Sequence, residues 1–353
     1  MLVDARRVSP GHVGVLALLA DIALGAKDWP RAQEIAETLA TLKTPEAESA
    51  ARTLHAALLL GQNRTEDGLA FLEEQVGKGG NDLAPIQMIL QAHLRDGKPE
   101  EARAYLDGEL AKRPDDPGLR LLSAGLHALM GEGPEAEALF RGLIAEEPAA
   151  ELPARLLYGL LRREGRAEEA AAVLEAALAA NPEAAALRWI KAGALEQAGD
   201  IDGAIAVYEA MYAQDSGDVI IANNLASLIA AHRNDAESLA RATAIARRLK
   251  GTDVPAFQDT YGWIAHRNGN HDEALTYLEP AAKGLPDDAV TQFHLGMTYL
   301  ALGRTEDARR QLTHALELAG DSPLPQFDIA RQELAKPPAA PRPRSPPLLQ
   351  PPW

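Results

Sequence analysis

Cysteine is absent from the 353 residues, so disulfide bonds and thiolate zinc sites are excluded and the redox compartment stays open. Positive charge is scarce: 35 Lys and Arg face 51 Asp and Glu, a net charge of −16. Binding a nucleic acid backbone needs clustered lysine and arginine, so nucleic acid is excluded as the main partner. No apolar run is long enough for a membrane-spanning helix. Aromatic residues make up 5%, and a chain rich in alanine and poor in aromatics suits helices packed at close range.

Catalytic and cofactor signatures are also missing. His12, His55, His93, His127, His232, His266, His271, His294 and His314 are dispersed, and none forms an i, i+4 pair enclosing a carboxylate. The glycine-rich stretch VGKGGND, 76–82, lacks the Lys-Ser/Thr ending of a phosphate loop and reads as the end of a helix. Ser227 and His232 lack the context of a nucleophile elbow. Glu100–Glu101 and Glu168–Glu169 stand where helices begin, and negative charge there suits the helix dipole. We therefore expect a protein that is not an enzyme, with no catalytic residue, cofactor or metal.

What the chain does have is a period. Ala102, Ala136, Ala170 and Ala204 follow one another at 34 residues, and Ala274 and Ala308 repeat that step after one longer interval. Five residues before each stands a glycine: Gly97, Gly131, Gly165, Gly199, Gly269 and Gly303. Glycine supplies the positive φ that a helix C-terminus favours. Twelve residues after the alanine a proline commonly follows, at Pro114, Pro148, Pro182 and Pro286, where it stops the second helix. The pattern predicts nine helix-turn-helix units beginning near Val13, Ser49, Leu83, Pro117, Glu151, Ala185, Val219, Pro255 and Ala289. VGVLALLADIAL, 13–24, follows Arg6 and Arg7 as a signal peptide would, but Asp21 interrupts it and it falls in the phase of a first helix. The seventh unit lacks the turn glycine, and an expanded turn is expected over 232–239.

DTYGWIAHRNGNHDEALTYLEPAAKGLP and FHLGMTYLALGRTEDARRQLTHALELAG carry the strongest pattern, with Gly262, Leu278 and Ala281 in one and Gly296, Tyr299, Leu312 and Ala315 in the other. On these residues the chain resembles the tetratricopeptide repeat (TPR) family. The resemblance implies an all-α, right-handed superhelical solenoid of helix-turn-helix repeats (an α-α superhelix) over residues 13–321. Earlier units depart from the pattern: Gly68 replaces the alanine, Asn63 replaces the turn glycine, and Lys27 and Pro30 occupy the first turn. Residues 219–318 are further similar to the C-terminal repeats of bacterial TPR proteins associated with exosortase and exopolysaccharide loci.

The ends are read separately. Residues 1–12, with Leu2, Ala5 and Pro10, fall in the phase of the second half of a truncated repeat. An uncapped repeat there could self-associate through exposed apolar surface. Residues 322–336 are expected to form a capping helix, covering the last repeat with Leu324, Phe327, Ile329 and Leu334. Residues 337–353, rich in proline, are expected to be a disordered tail.

The resemblance implies a groove lined by the first helix of each unit. On this chain that edge carries Gln87, Gln91, Arg95, Arg155, Arg162, Arg163, Trp189, Glu196, Asn223, Asp259, Trp263, His266 and Arg267. Arg155, Arg162 and Arg163 form a positive patch in an acidic chain, which points to an acidic peptide or anionic glycan, unless Glu151 or Glu164 neutralises them. The expected function is a non-catalytic scaffold of bacterial type for protein or peptide ligands, in exopolysaccharide assembly or export. The alternative is the substrate-recognition arm of a larger enzyme such as a glycosyltransferase. The chain as it stands reads as cytoplasmic, and as periplasmic or envelope-associated if a signal precedes it.

Overall fold

The computed structural model describes residues 12–78 and 82–336, and among these there is no strand. The chain divides into two compact units, residues 1–184 and 185–353. In unit 1 the helices are α1 Val13–Gly25, α2 Trp29–Thr41, α3 Pro45–Gly61, α4 Thr65–Gly77, α5 Ala84–Arg95, α6 Pro99–Lys112, α7 Pro117–Met130, α8 Gly133–Glu146, α9 Glu151–Arg163 and α10 Ala167–Ala180. In unit 2 they are α11 Ala185–Ala198, α12 Ile201–Gln214, α13 Val219–His232, α14 Ala236–Ala246, α15 Pro255–Arg267, α16 His271–Gly284, α17 Ala289–Ala301, α18 Thr305–Ala319 and α19 Pro325–Ala335. Odd-numbered helices from α1 to α17 are the first (A) helices of hairpins, and each packs against the even-numbered helix (B) that follows.

Local chemistry explains the hairpins. Asp116, Asp218 and Asp288 cap α7, α13 and α17 by accepting from backbone N–H groups at 2.7–3.1 Å, which satisfies donors that the helix leaves unpaired. Between A and B the chain reverses through a left-handed residue, with φ of 72 to 81° at Gly97, Gly131, Gly165, Gly199, Gly269 and Gly303. Lys27 (φ 56°) and Asn63 (φ 61°) occupy the same place in the first two hairpins. The expected glycine position is therefore real, and two side chains tolerate it.

Small residues set how closely A and B approach. Ala102, Ala136, Ala170, Ala204, Ala274 and Ala308 have no exposed surface. A Cβ on Gly262 would lie 2.7 Å from Leu278 Cγ, and one on Gly296 would lie 2.7 Å from Leu312 Cδ2. Gly68, which breaks the alanine pattern, does so because Leu60 Cδ2 already stands 2.7 Å from where its Cβ would be. Within each unit the cores are local: Phe140, Leu157, Leu161 and Ala170 form one cluster in unit 1, and Tyr208, Leu225, Ile229 and Ala242 belong to one in unit 2.

Three expectations change. The inter-helix turn of the seventh hairpin is not expanded to 232–239: α13 ends at His232 and α14 begins at Ala236. Asp235 caps α14 through the Ser238 N–H at 2.8 Å, so no glycine is required. The additional residues lie after α14, in a 3-10 turn, Arg247–Leu249, and the connector to Pro255. The second hairpin begins at Pro45, where Thr44 caps the helix through the Ala47 N–H, rather than at Ser49. On α19, Phe327 and Ala330 are buried against Phe293, Leu312 and Ala315, with Leu334 packed beside them, whereas Leu324 and Ile329 face solvent. The expectations for residues 1–11, for 79–81 within VGKGGND and for the tail, 337–353, lie outside the described residues.

Candidate functional site

In unit 1 the candidate residues sit on α5 and α9. Gln87, Gln91 and Arg95 recur every four residues along α5 and are exposed, so they share one face. Arg95 reaches back to the Leu60 carbonyl at the end of α3, at 3.4 Å. On α9, Leu152, Arg155, Leu156, Gly159 and Arg163 follow an i, i+3, i+4, i+7, i+11 spacing, which makes one continuous strip. Leu152 and Leu156 are exposed although apolar, at 40% and 37%. A Cβ on Gly159 would meet nothing within 4 Å, so the strip has an open floor at its centre.

Two of the three α9 arginines, Arg155 and Arg163, are not paired with Glu151 or Glu164. Arg155 and Arg163 are exposed and have no ion pair or hydrogen-bond partner among the described residues, and Arg162 is exposed beside them. Glu164 is instead engaged by Arg166, at 3.0 Å. Arg166 also holds Glu137 at 2.6 Å and Glu169 at 2.7 Å. On the neighbouring A helix α7, Leu129 is 69% exposed, and Gly125, four residues before it, is as open as Gly159.

In unit 2 the candidates gather into two polar clusters. Around Tyr208 of α12, the hydroxyl donates to Glu196 of α11 at 3.0 Å and lies 3.4 Å from the Asn224 amide of α13. Trp189 meets the Tyr208 ring edge-on at 5.4 Å between centroids, and Asn223 donates to Asn224 at 3.2 Å. Burial, with the adjacent Glu196, pushes the Tyr208 phenol up to about 12, so it remains a donor. Trp189, Glu196 and Asn223 thus come together, but Trp189 is half-buried in packing.

The second cluster joins α15 and α17. His294 donates through Nδ1 to Asp259, with contacts of 2.9 and 3.0 Å to the two carboxylate oxygens. Trp263 stacks on two imidazoles, His266 at 4.7 Å and His294 at 4.1 Å between centroids. Thr298 donates its single hydroxyl proton to the His294 carbonyl at 2.9 Å, so it accepts from His266 Nδ1 at 3.0 Å. That assigns the His266 proton to Nδ1. Burial is the main reason that the His266 ring is held down to about 4, helped by His271, His294 and Arg267.

Sequence reasoning missed His294 and Thr298. The signal was that His294 stands 35 residues after Asp259, one repeat on, yet their pairing needs the packing of α15 on α17. Trp263 is already stacked on two imidazoles, so it is not a free stacking anchor. Arg267 is likewise occupied: its guanidinium donates to the carbonyls of Ala230 and Arg233 and to the Asn234 side chain, closing the end of α13. Among the described residues no group of three or more His, Asp and Glu side chains could hold a metal ion. No helix among them is long and apolar enough to cross a membrane.

Three family models, each described as a tetratricopeptide repeat, match residues 93–157, 160–219 and 261–321. No curated protein matches the chain. Among solved structures, the chain is similar to YrrB, described as a TPR protein with an unusual peptide-binding site, at 18% identity and a TM-score of 0.41, over 54% of this chain and 97% of that one. It is similar to TTC0263, a thermophilic TPR protein of Thermus thermophilus, at 22% identity and a TM-score of 0.40, over 52% and 99%. With the APC/C hetero-tetramer Cut9-Hcn1 the identity is 16% and the TM-score 0.48, over 86% of this chain and 59% of that one.

Proposed function

Because the chain carries tetratricopeptide repeats over residues 93–157, 160–219 and 261–321, we propose that it is a binding scaffold whose A-helix face in unit 1 takes a peptide alternating acidic and aliphatic residues. The observation that carries this reading is the strip on α9. Arg155 and Arg163 are cations without a protein partner among the described residues, and they alternate with exposed Leu152 and Leu156. Guanidinium groups hold carboxylates in a two-pronged geometry, the leucines offer apolar contact, and Gly159 lets a ligand backbone approach closely. In the polar clusters of unit 2, Tyr208 is paired with Glu196 and His294 with Asp259, and these clusters contribute less.

The test is fluorescence anisotropy with a labelled peptide of alternating Glu and Leu. The paired substitution Arg155→Ala with Arg163→Ala should weaken binding at least about tenfold, each charged contact being worth about 1.5–3 kcal/mol. Unchanged affinity in that variant would sink the reading. A wider role in exopolysaccharide assembly or export rests on the sequence likeness of residues 219–318, with the recognition arm of a larger enzyme as the alternative. Capture from the source cells separates them: envelope or polysaccharide-machinery partners support the first, and a longer bait with its own catalytic domain supports the second.

A further inference from the structure

Away from the α9 strip, unit 1 contains a cavity of ≈ 820 Å³ between the second and third hairpins, walled by α3, α4, α5 and α6. That volume is in the range of small-molecule sites, about 300–1,000 Å³. Its walls bear charges of both signs, and what decides the ligand is which of them are already used.

The acceptors are mostly engaged. Glu109, 6% exposed, accepts from Lys112 Nζ at 2.6 Å and lies 3.8 Å from the Arg113 guanidinium. Asp82 accepts from the Ala84 N–H at 2.9 Å, at the start of α5, and from the Ser49 hydroxyl at 3.5 Å. Exposed Glu73 is the one lining carboxylate without a pair among the described residues.

The donors are mostly open. Arg52 lines the cavity with no ion pair or hydrogen bond among the described residues. Tyr105 also faces it, four residues before Glu109 on α6, and its hydroxyl has no hydrogen-bond partner among them. Burial, with Glu109 and Glu73 nearby, pushes the Tyr105 phenol up to about 12, which keeps it protonated and donating. Lys78 and Lys112 each spend one N–H on a glutamate, Glu74 at 2.8 Å and Glu109 at 2.6 Å, and an ammonium has three. Arg113 is held in place by Asp116 at 3.2 Å, so its position is fixed before any ligand arrives.

We propose that this cavity binds a small, acceptor-rich anion bearing carboxylate or phosphate groups, held by Arg52, Tyr105 and the free N–H bonds of Lys78, Lys112 and Arg113. The site is separate from the peptide strip on α9 and can exist without it. Attraction between partly solvated charges is screened by salt, so binding weakens as ionic strength rises.

Isothermal titration of the full chain with citrate and, separately, with pyrophosphate at low ionic strength tests the proposal. The expected result is saturable one-to-one binding of at least one anion, weakened about tenfold or more by Arg52→Ala and severalfold by Tyr105→Phe. Arg155→Ala with Arg163→Ala should leave it unchanged. Citrate alone would mark a carboxylate site and pyrophosphate alone a phosphate site. No saturable binding of either, or binding indifferent to Arg52 and Tyr105, would overturn it. Arg52 is exposed and has no ion pair or hydrogen bond among the described residues, so its loss reads on binding; circular dichroism of both variants checks the fold.

Discussion

Lys27 shows what a single backbone position demands. It sits at φ 56° where later hairpins place glycine, and a side chain with a Cβ is strained there by about 1 kcal/mol. Lys27→Gly should therefore raise stability by roughly that amount in urea unfolding, whereas Gly165→Ala, at φ 77°, should lower it. His266 makes the opposite kind of demand, since its ring is kept neutral. Its value is about 4 in the folded protein against an ordinary 6.5, so between those values the unfolded chain binds more protons than the folded one. Stability is complete above about pH 6.5 and falls as pH drops toward 4. Asp259, His294, His271 and Arg267 share that environment. For a half-buried ring the loss should be about 1–2 kcal/mol after allowance for solvent screening, and His266→Gln should flatten that part of the pH profile of the urea midpoint.

The helical hairpin is the element on which packing acts. Ala170 has no exposed surface and touches the core formed with Phe140 and Leu157, so Ala170→Leu should overpack it by about 1–3 kcal/mol. A melting temperature equal to that of the parent would contradict this placement. Helix ends are a second control point. Arg267 satisfies the Ala230 and Arg233 carbonyls, and Arg267→Ala leaves them without that donor, at a cost of about 1–3 kcal/mol. Hydrogen exchange should then accelerate in the last turn of α13, because a frayed helix end opens before the rest. The turn glycine, the buried alanine and the terminal proline were legible in the chain because each answers to local geometry. The three-residue turn before α14 was not legible, because Asp235 replaces glycine through a side-chain cap.

At the scale of the whole molecule, the described residues of each unit form separate clusters, so stability within a unit is built from hairpin-to-hairpin contacts. Arrays of this kind lose all-or-none unfolding as they lengthen. Urea denaturation followed by tryptophan fluorescence, which reports on Trp29 in unit 1 and on Trp189, Trp263 and Trp353 in unit 2, should not coincide with far-ultraviolet circular dichroism. Coincident curves and one transition would mean that the chain unfolds cooperatively.

Sequence by itself determined the hairpin period, the all-helical class, the left-handed turns and the alanine contacts, because these depend on residues close together in the chain and repeated along it. It also placed arginines on one edge of α9. Tertiary structure decided which of the edge residues are available. Arg155 and Arg163 are open because Glu164 turns to Arg166, while Trp263 and Arg267 are spent on His294 and on the end of α13. Pairing of that kind depends on helices from different hairpins meeting in space, and a 34-residue spacing specifies which positions recur without specifying which side chains reach each other.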